Sequence, residues 1–231
     1  MPQNWLFCSE LPQVGEQCRL GEEEQRHCKV LRLQAGDGAL LVDGQGTKAW
    51  ARLTDIKACL WLIESREFIA PPPSRVLRMP YLQGGKMDWV IEKATEWGVT
   101  SIELFVADKS CGHRARLERF QSLIKAAAKQ SGQVWWPRIY DIDKLSSWKP
   151  TDVPIYYGSL SSRAQGVSEI HVEDSFCWTC GPEGGWSDAE EQCLQQLGAT
   201  PLKLCGSTLR AETALIGGLS ALVATLTTAK Q

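Results

Sequence analysis

Three consecutive prolines, Pro71-Pro72-Pro73, interrupt this 231-residue chain. Proline fixes φ and lacks the backbone donor, so neither a helix nor an inner strand runs through such a stretch. It behaves as a stiff spacer. The hydrophobic period differs on its two sides. Before it come short apolar runs: His27 to Leu33, Ala39 to Val42, Trp50 to Leu53 and Ala58 to Glu64. Turn signals at Gly36-Asp37-Gly38 and Asp43-Gly44-Gln45-Gly46 separate them. Short runs between glycine turns read as strands and suit a small β-barrel. Residues 1–70 are therefore expected to form one domain and 71–231 a second.

In the second part strands alternate with helices. Val76 to Leu82, Ile102 to Ala107, Pro154 to Tyr157, Phe176 to Cys180 and Leu202 to Cys205 read as strands. Met87, Val90, Ile91, Ala94 and Trp97 recur at helical spacing, with Gly98 as the stop. Leu117, Phe120, Leu123, Ile124 and Ala127 mark a second helix. Ser187-Asp188-Ala189-Glu190 is a capping box opening a third, and Ala211 to Thr228 is the last. This alternation predicts an α/β domain with a mostly parallel sheet.

Apolar residues at 43% and charged residues at 23% fit a globular protein and exclude disorder and coiled coil. The longest apolar stretch, Ala214 to Leu226, is broken by Gly217, Gly218 and Ser220 and falls short of the roughly 20 residues a membrane span needs. The N-terminus shows no basic, apolar signal segment. A cytoplasmic protein without a membrane partner is expected. Nine cysteines are scattered, and only Cys177 and Cys180 form a C-x-x-C, inside an apolar strand. With His27, His113 and His171 as the only histidines, structural thiols are expected and no metal.

Charge is unevenly distributed. Residues 71–150 carry 13 basic and 8 acidic side chains, whereas 151–231 carry 4 and 9. Lys109, Arg114, Arg116, Arg119, Lys125, Lys129 and Arg138 concentrate the positive charge, with Trp135 and Trp136 beside it. Such a run suits a phosphate backbone with stacked bases; a solvated helix face followed by a core aromatic pair is the commoner source of such a cluster.

Two strand-to-helix junctions carry the strongest local signal. Gly181-Pro182-Glu183-Gly184-Gly185-Trp186-Ser187 has more glycine than a turn requires, and glycine lets backbone approach a ligand. Leu204 to Ala214 places Arg210 at a helix start, where its charge opposes the helix dipole. Open α/β sheets bind ligands at such junctions.

GPEGGWS at 181–187, LRAETA at 209–214, KMDWVIEKATEWGV at 86–99, the H-x-x-x-L-R at 27–32 and ERF…AAAKQS at 118–131 occur in a consistent order. In these motifs the chain resembles the RsmE-type 16S rRNA uridine-N3 methyltransferases of the SPOUT superfamily. The resemblance implies a PUA-like β-barrel followed by a SPOUT domain whose end forms a trefoil knot. It implies S-adenosyl-L-methionine as cofactor, small-subunit ribosomal RNA as partner, and a homodimer. Matched position by position, Tyr157, Gly158, Gly181, Glu183, Gly184, Gly185, Leu204, Cys205, Thr208 and Leu209 would meet the cofactor. Arg32, Lys109, Arg114, Arg116 and Arg119 would hold RNA. Uridine N3 carries a proton, so Glu212 is the candidate base or base-orienter, with Glu183 the rival carboxylate, and Arg210 the candidate for anion stabilisation. The chain departs from the family pattern at Lys109, Gln133, Cys205 and Ser207. Three other readings are a non-catalytic ribosome-assembly protein on the same fold, a SPOUT enzyme with another RNA target, and a C-x-x-C redox or zinc protein.

Overall fold

The computed structural model of the chain describes residues 4–110 and 117–228. Contacts group them into two units: 1–72 with 128–136, and 73–127 with 137–231.

The first unit holds a five-stranded sheet of β1 (Trp5–Phe7), β2 (Gln17–Arg19), β3 (Gly38–Val42), β4 (Thr47–Asp55) and β5 (Leu60–Phe68), ordered β1-β3-β4-β5-β2. Only β1 and β3 pair in parallel. Ala39, Leu41, Ala49, Ala51 and Trp61 point inward from alternate positions and are fully buried.

The expected strand from His27 is instead the end of a helix, α1 (Glu22–Val30). Glu22, Glu23 and Glu24 occupy its first turn and His27 and Lys29 its last, the charge order a helix dipole favours. Helix α1 closes with two crossed bonds, Arg32 N to the Lys29 carbonyl and Leu33 N to the Cys28 carbonyl. Arg32 sits at the left-handed position of this cap, φ 54°. Helices α2 (Lys86–Glu96) and α4 (Asp188–Gln196) end in the same two bonds, with Gly98 and Gly198 at that position. Glycine adopts this conformation without strain, whereas arginine carries a steric cost there.

Both tryptophans after the basic run are packed within the first unit. Trp136 lies 4.9 Å from the Phe7 ring, and Trp135 meets Phe68 edge-on at 5.9 Å. A Cβ on Gly44 or Gly46 would collide with them, at 2.7 Å from Trp136 and 2.4 Å from Trp135. Both tryptophans are thus half-buried packing partners of the first unit. Lys129 is likewise internal: it pairs with Glu24 at 2.7 Å, the side chains only 12% and 2% exposed.

The second unit is built on a seven-stranded sheet: β6 (Arg75–Pro80), β7 (Ser101–Phe105), β8 (Arg138–Asp141), β9 (Ile155–Gly158), β10 (Gln165–Gly166), β11 (Phe176–Thr179) and β12 (Thr200–Lys203). Its order is β10-β12-β9-β11-β6-β7-β8, and every pairing is parallel. Helix α3 (Leu117–Ser131) follows β7, and α5 (Ala211–Thr228) follows β12. Parallel strands end on the same side. The five consecutive strands β12-β9-β11-β6-β7 thus deliver their following loops side by side.

Trp178 fixes α5 against this sheet. It is fully buried, and its indole N–H donates to the Leu215 carbonyl at 2.9 Å. A Cβ on Gly218 would stand 2.0 Å from the Trp178 ring. The glycine interrupts a helix because the indole occupies the space of a side chain. Among the described residues no helix is long and apolar enough to cross a membrane. Cys177 and Cys180 are buried thiols; burial pushes Cys177 up to about 12 and raises Cys180 as well. Such thiols stay protonated and unreactive at neutral pH.

In an exposed helix Gly→Ala adds stability. Gly218→Ala is expected to lower it by about 1–3 kcal/mol through overpacking, seen as a lower midpoint in thermal or urea unfolding. A variant as stable as the parent would show that Trp178 can move aside.

Candidate functional site

The loops after β9, β11 and β12 enclose a cavity of about 720 Å³. Gly158 to Leu160 form one wall, Cys180 to Trp186 a second, and most of 204–210 a third. Lys86 from α2 and Ala211 and Ala214 from α5 complete it. The volume lies within the usual range for a small-molecule pocket.

Local geometry explains the glycines. A Cβ on Gly158 would lie 2.6 Å from the Cys180 thiol, so β9 and β11 could not end this close with any other residue there. A Cβ on Gly181 would lie 2.9 Å from the backbone nitrogen of Trp186, across the neck of the loop. Gly185 has φ 70° and donates to the Pro182 carbonyl at 2.8 Å, closing the turn. Trp186 anchors the loop: its indole N–H donates to the Gly158 carbonyl at 3.0 Å and its ring stacks on Phe105 at 6.2 Å. The capping box of α4 is complete in both directions, Ser187 Oγ accepting from Glu190 N and Glu190 Oε2 from Ser187 N.

Lys86, Glu183 and Arg210 line this cavity, and Glu212 lies beside it. Lys86 Nζ donates to Glu183 Oε1 at 2.8 Å and lies 3.7 Å from Glu212 Oε2. Gln83 N also approaches Glu183 Oε1, at 3.4 Å. Partial burial works to raise the Glu183 carboxyl, but the Lys86 ammonium and backbone donors outweigh it and hold the group below its ordinary range. The hydrogen bond to Glu183 raises Lys86 in turn. Glu212 is different: its side chain is 15% exposed, and Oε2 is buried with no hydrogen-bond partner among the described residues. Arg210 is exposed on the same wall, with no ion-pair partner among the described residues. Cys205 lies on the wall too, its thiol lowered by hydrogen bonding to Ser207.

The structure thus gathers Gly158, Gly181, Glu183, Gly184, Gly185, Leu204, Cys205, Thr208, Leu209 and Arg210 on one cavity, with Glu212 facing Lys86 beside it. Tyr157 is not on the wall; it is buried beneath, edge-on to Trp186 at 6.5 Å. Lys86 has no role in the sequence reading, although it opens the 86–99 motif. Its part becomes visible only when β6 and β11 are neighbours. Of the basic positions, Arg32 is exposed on the α1 cap. Arg119 pairs with Asp88 yet stays 63% exposed. Lys109 donates to the Trp186 carbonyl at 2.8 Å. Arg114 and Arg116 lie outside the described residues. No cluster of three or more His, Cys, Asp or Glu suited to a metal occurs among the described residues.

Comparison with known proteins agrees on one class. An RNA methyltransferase domain model matches residues 72–223, and an RNA methyltransferase PUA domain model matches residues 20–60. The ribosomal RNA small subunit methyltransferase E of Bacillus subtilis is 28% identical over 226 residues, covering 87% of each chain. The protein of the same name from Synechocystis is 25% identical over 80% of this chain, which spans 65% of that protein's length. A crystal structure of ribosomal RNA small subunit methyltransferase E from Neisseria gonorrhoeae, bound to S-adenosyl methionine, superposes with a TM-score of 0.88 at 27% identity. It covers 96% of this chain and 98% of its own.

Proposed function

This chain belongs to the RNA methyltransferase family, and on that premise we propose that it methylates N3 of a uridine in small-subunit (16S) ribosomal RNA, with S-adenosyl-L-methionine as methyl donor. One observation carries the reading: beside a glycine-walled cavity at the carboxyl ends of the strands lies a buried carboxylate oxygen, and on its wall an exposed arginine, the first without a hydrogen bond and the second without an ion-pair partner among the described residues. The residues suit this cofactor. Gly181, Gly184 and Gly185 bring the loop backbone to the cavity wall, where it could hold an adenosine, and the carboxylates of Glu183 and Glu212 are of the charge that would suit a sulfonium. When bound, the cofactor supplies an electrophilic methyl group. The protein must present uridine N3 to it and remove the N3 proton.

Glu183 is a poor base because Lys86 and Gln83 already engage its Oε1. Glu212 Oε2 lies 3.7 Å from Lys86 Nζ but accepts no hydrogen bond among the described residues, and we assign Glu212 as the base. Arg210 stabilises negative charge on the uracil oxygens as the proton leaves. The target base must be unpaired or flipped out of its helix. Arg32 and Arg119, with Arg114 and Arg116, hold the surrounding RNA, and the first unit serves as the PUA-like RNA-binding barrel. We assign domains 1–70 and 71–231 accordingly, with the difference that residues 128–136 group with the first unit by their contacts.

Two finer features belong to the same proposal. Strand β12 lies between β9 and β10, so the connection 159–164 brackets it. This supports a chain end passing beneath that connection as a trefoil knot, which an experimental chain trace would test. The homodimer draws support from an exposed surface outside the buried face of α5. Leu215, Leu219 and Leu222 of α5 are already buried within the chain. Trp89 on α2, Trp97 at its C-terminal cap and Leu160 at the cavity remain exposed. Light scattering should read twice 25.7 kDa at micromolar protein; a stable monomer would contradict the assignment.

Nucleoside mass spectrometry should find N3-methyluridine in 16S rRNA from cells with the protein and lose it from cells without. Glu212→Gln should lower turnover about 10²–10⁴-fold with little change in cofactor affinity, and rising pH should partly restore it by ionising N3. Full activity would remove Glu212 from the chemistry. Arg32→Gly separates fold from function. It should raise stability by up to about 1 kcal/mol by relieving the left-handed strain, while RNA affinity falls and its salt slope shrinks by about 0.7–0.9 unit. Unchanged RNA binding would make Arg32 a purely local feature of the helix end.

A further inference from the structure

We propose that Asp108 and Lys109, on the turn after β7, are positioning residues that clamp the 181–187 loop in its ligand-receiving shape. The proposal rests on the cavity being the cofactor site.

The turn touches the loop at three points. Lys109 Nζ donates to the Trp186 carbonyl at 2.8 Å. Ser187 Oγ donates to Asp108 Oδ2 at 2.7 Å. At Gly184 a Cβ would stand 2.9 Å from the Lys109 Cβ and 3.4 Å from its carbonyl oxygen, so the loop backbone lies directly against the lysine stem. A fourth contact runs to the base of the loop: Asp108 N donates to Glu190 Oε1 at 2.9 Å. Glu190 is 6% exposed, and its other oxygen completes the α4 capping box. One buried carboxylate therefore ties the helix start and the neighbouring turn together. The turn is itself closed by Ala107 N to Ser110 Oγ at 3.1 Å and Ser110 N to the Ala107 carbonyl at 3.0 Å.

The need for a clamp follows from the composition of the loop. Gly184 and Gly185 give backbone access to a ligand, and they also make the free loop costly to order. Contacts that hold the loop before the ligand arrives lower the cost of binding. Lys109 aims its charge at a loop carbonyl, which assigns it to the cofactor side rather than to RNA phosphate. The contact also explains why position 184 is glycine: a side chain there would push the loop off the lysine.

Lys109→Met keeps the aliphatic stem and removes the donor. In the full-length ligand-free chain, hydrogen exchange at the Gly185 and Ser187 amides should accelerate about tenfold. Calorimetry should show S-adenosylhomocysteine binding weakened by a similar factor, about the worth of one charge-assisted hydrogen bond. The salt slope of RNA binding should not change. Asp108→Ala should reproduce the exchange effect, and Asp108→Asn, which keeps an acceptor for Ser187, should largely restore it. Unchanged exchange and cofactor affinity in Lys109→Met, with a salt slope lower by about 0.7–0.9 unit, would overturn the proposal and make Lys109 a phosphate contact. A wild-type chain that binds no S-adenosylhomocysteine would overturn the cofactor reading instead; the exchange rates still decide the clamp.

Discussion

The parallel pairing of β12, β9, β11, β6 and β7 is the constraint on which the site depends. Because these five strands run the same way, five loops emerge together. Residues from 80 to 214 thereby meet at one place. No single loop could form the cavity. The 181–187 segment contributes glycine and Glu183, α2 contributes Lys86, and the turn after β7 braces the floor. The sheet must hold these ends within tenths of an ångström. Two contacts show how: Gly158 against the Cys180 thiol, and the Trp186 indole bridging to the Gly158 carbonyl.

Charge distinguishes fold from function more clearly than burial does. Lys129 is matched by Glu24 and is internal to the fold. Lys109 is directed at a loop carbonyl. Glu183 is engaged by Lys86. At the cavity, Glu212 Oε2 accepts no hydrogen bond among the described residues and Arg210 is exposed, as is Arg32 on the α1 cap. Arg32 is the most telling. It holds a left-handed backbone where α2 and α4 use glycine, a conformation that costs arginine and not glycine.

Much of the second unit was legible because local and long-range preferences agree. The Ser187–Glu190 box, the stop at Gly98 and the bounds of α5 follow from capping and period alone. The first unit was harder. The apolar run from His27 looked like a strand, but three glutamates ahead of it and basic residues behind it favour a helix end. Trp135 and Trp136 adjoin a basic run in sequence, yet Gly44 and Gly46, about 90 residues earlier, make room for them. That pairing depends on tertiary contact, which no local pattern encodes. The same holds for Lys86, whose partners Glu183 and Glu212 are distant in sequence. The glycine loops marked the pocket; they did not reveal which carboxylate would be left without a hydrogen bond.

The most direct test is a calorimetric titration of the full chain with S-adenosylhomocysteine, repeated on Gly184→Val. The account predicts one site per chain in the parent and none in the variant, because valine cannot lie against Lys109 without displacing the loop. No binding by the parent, or equal binding by both, would contradict it.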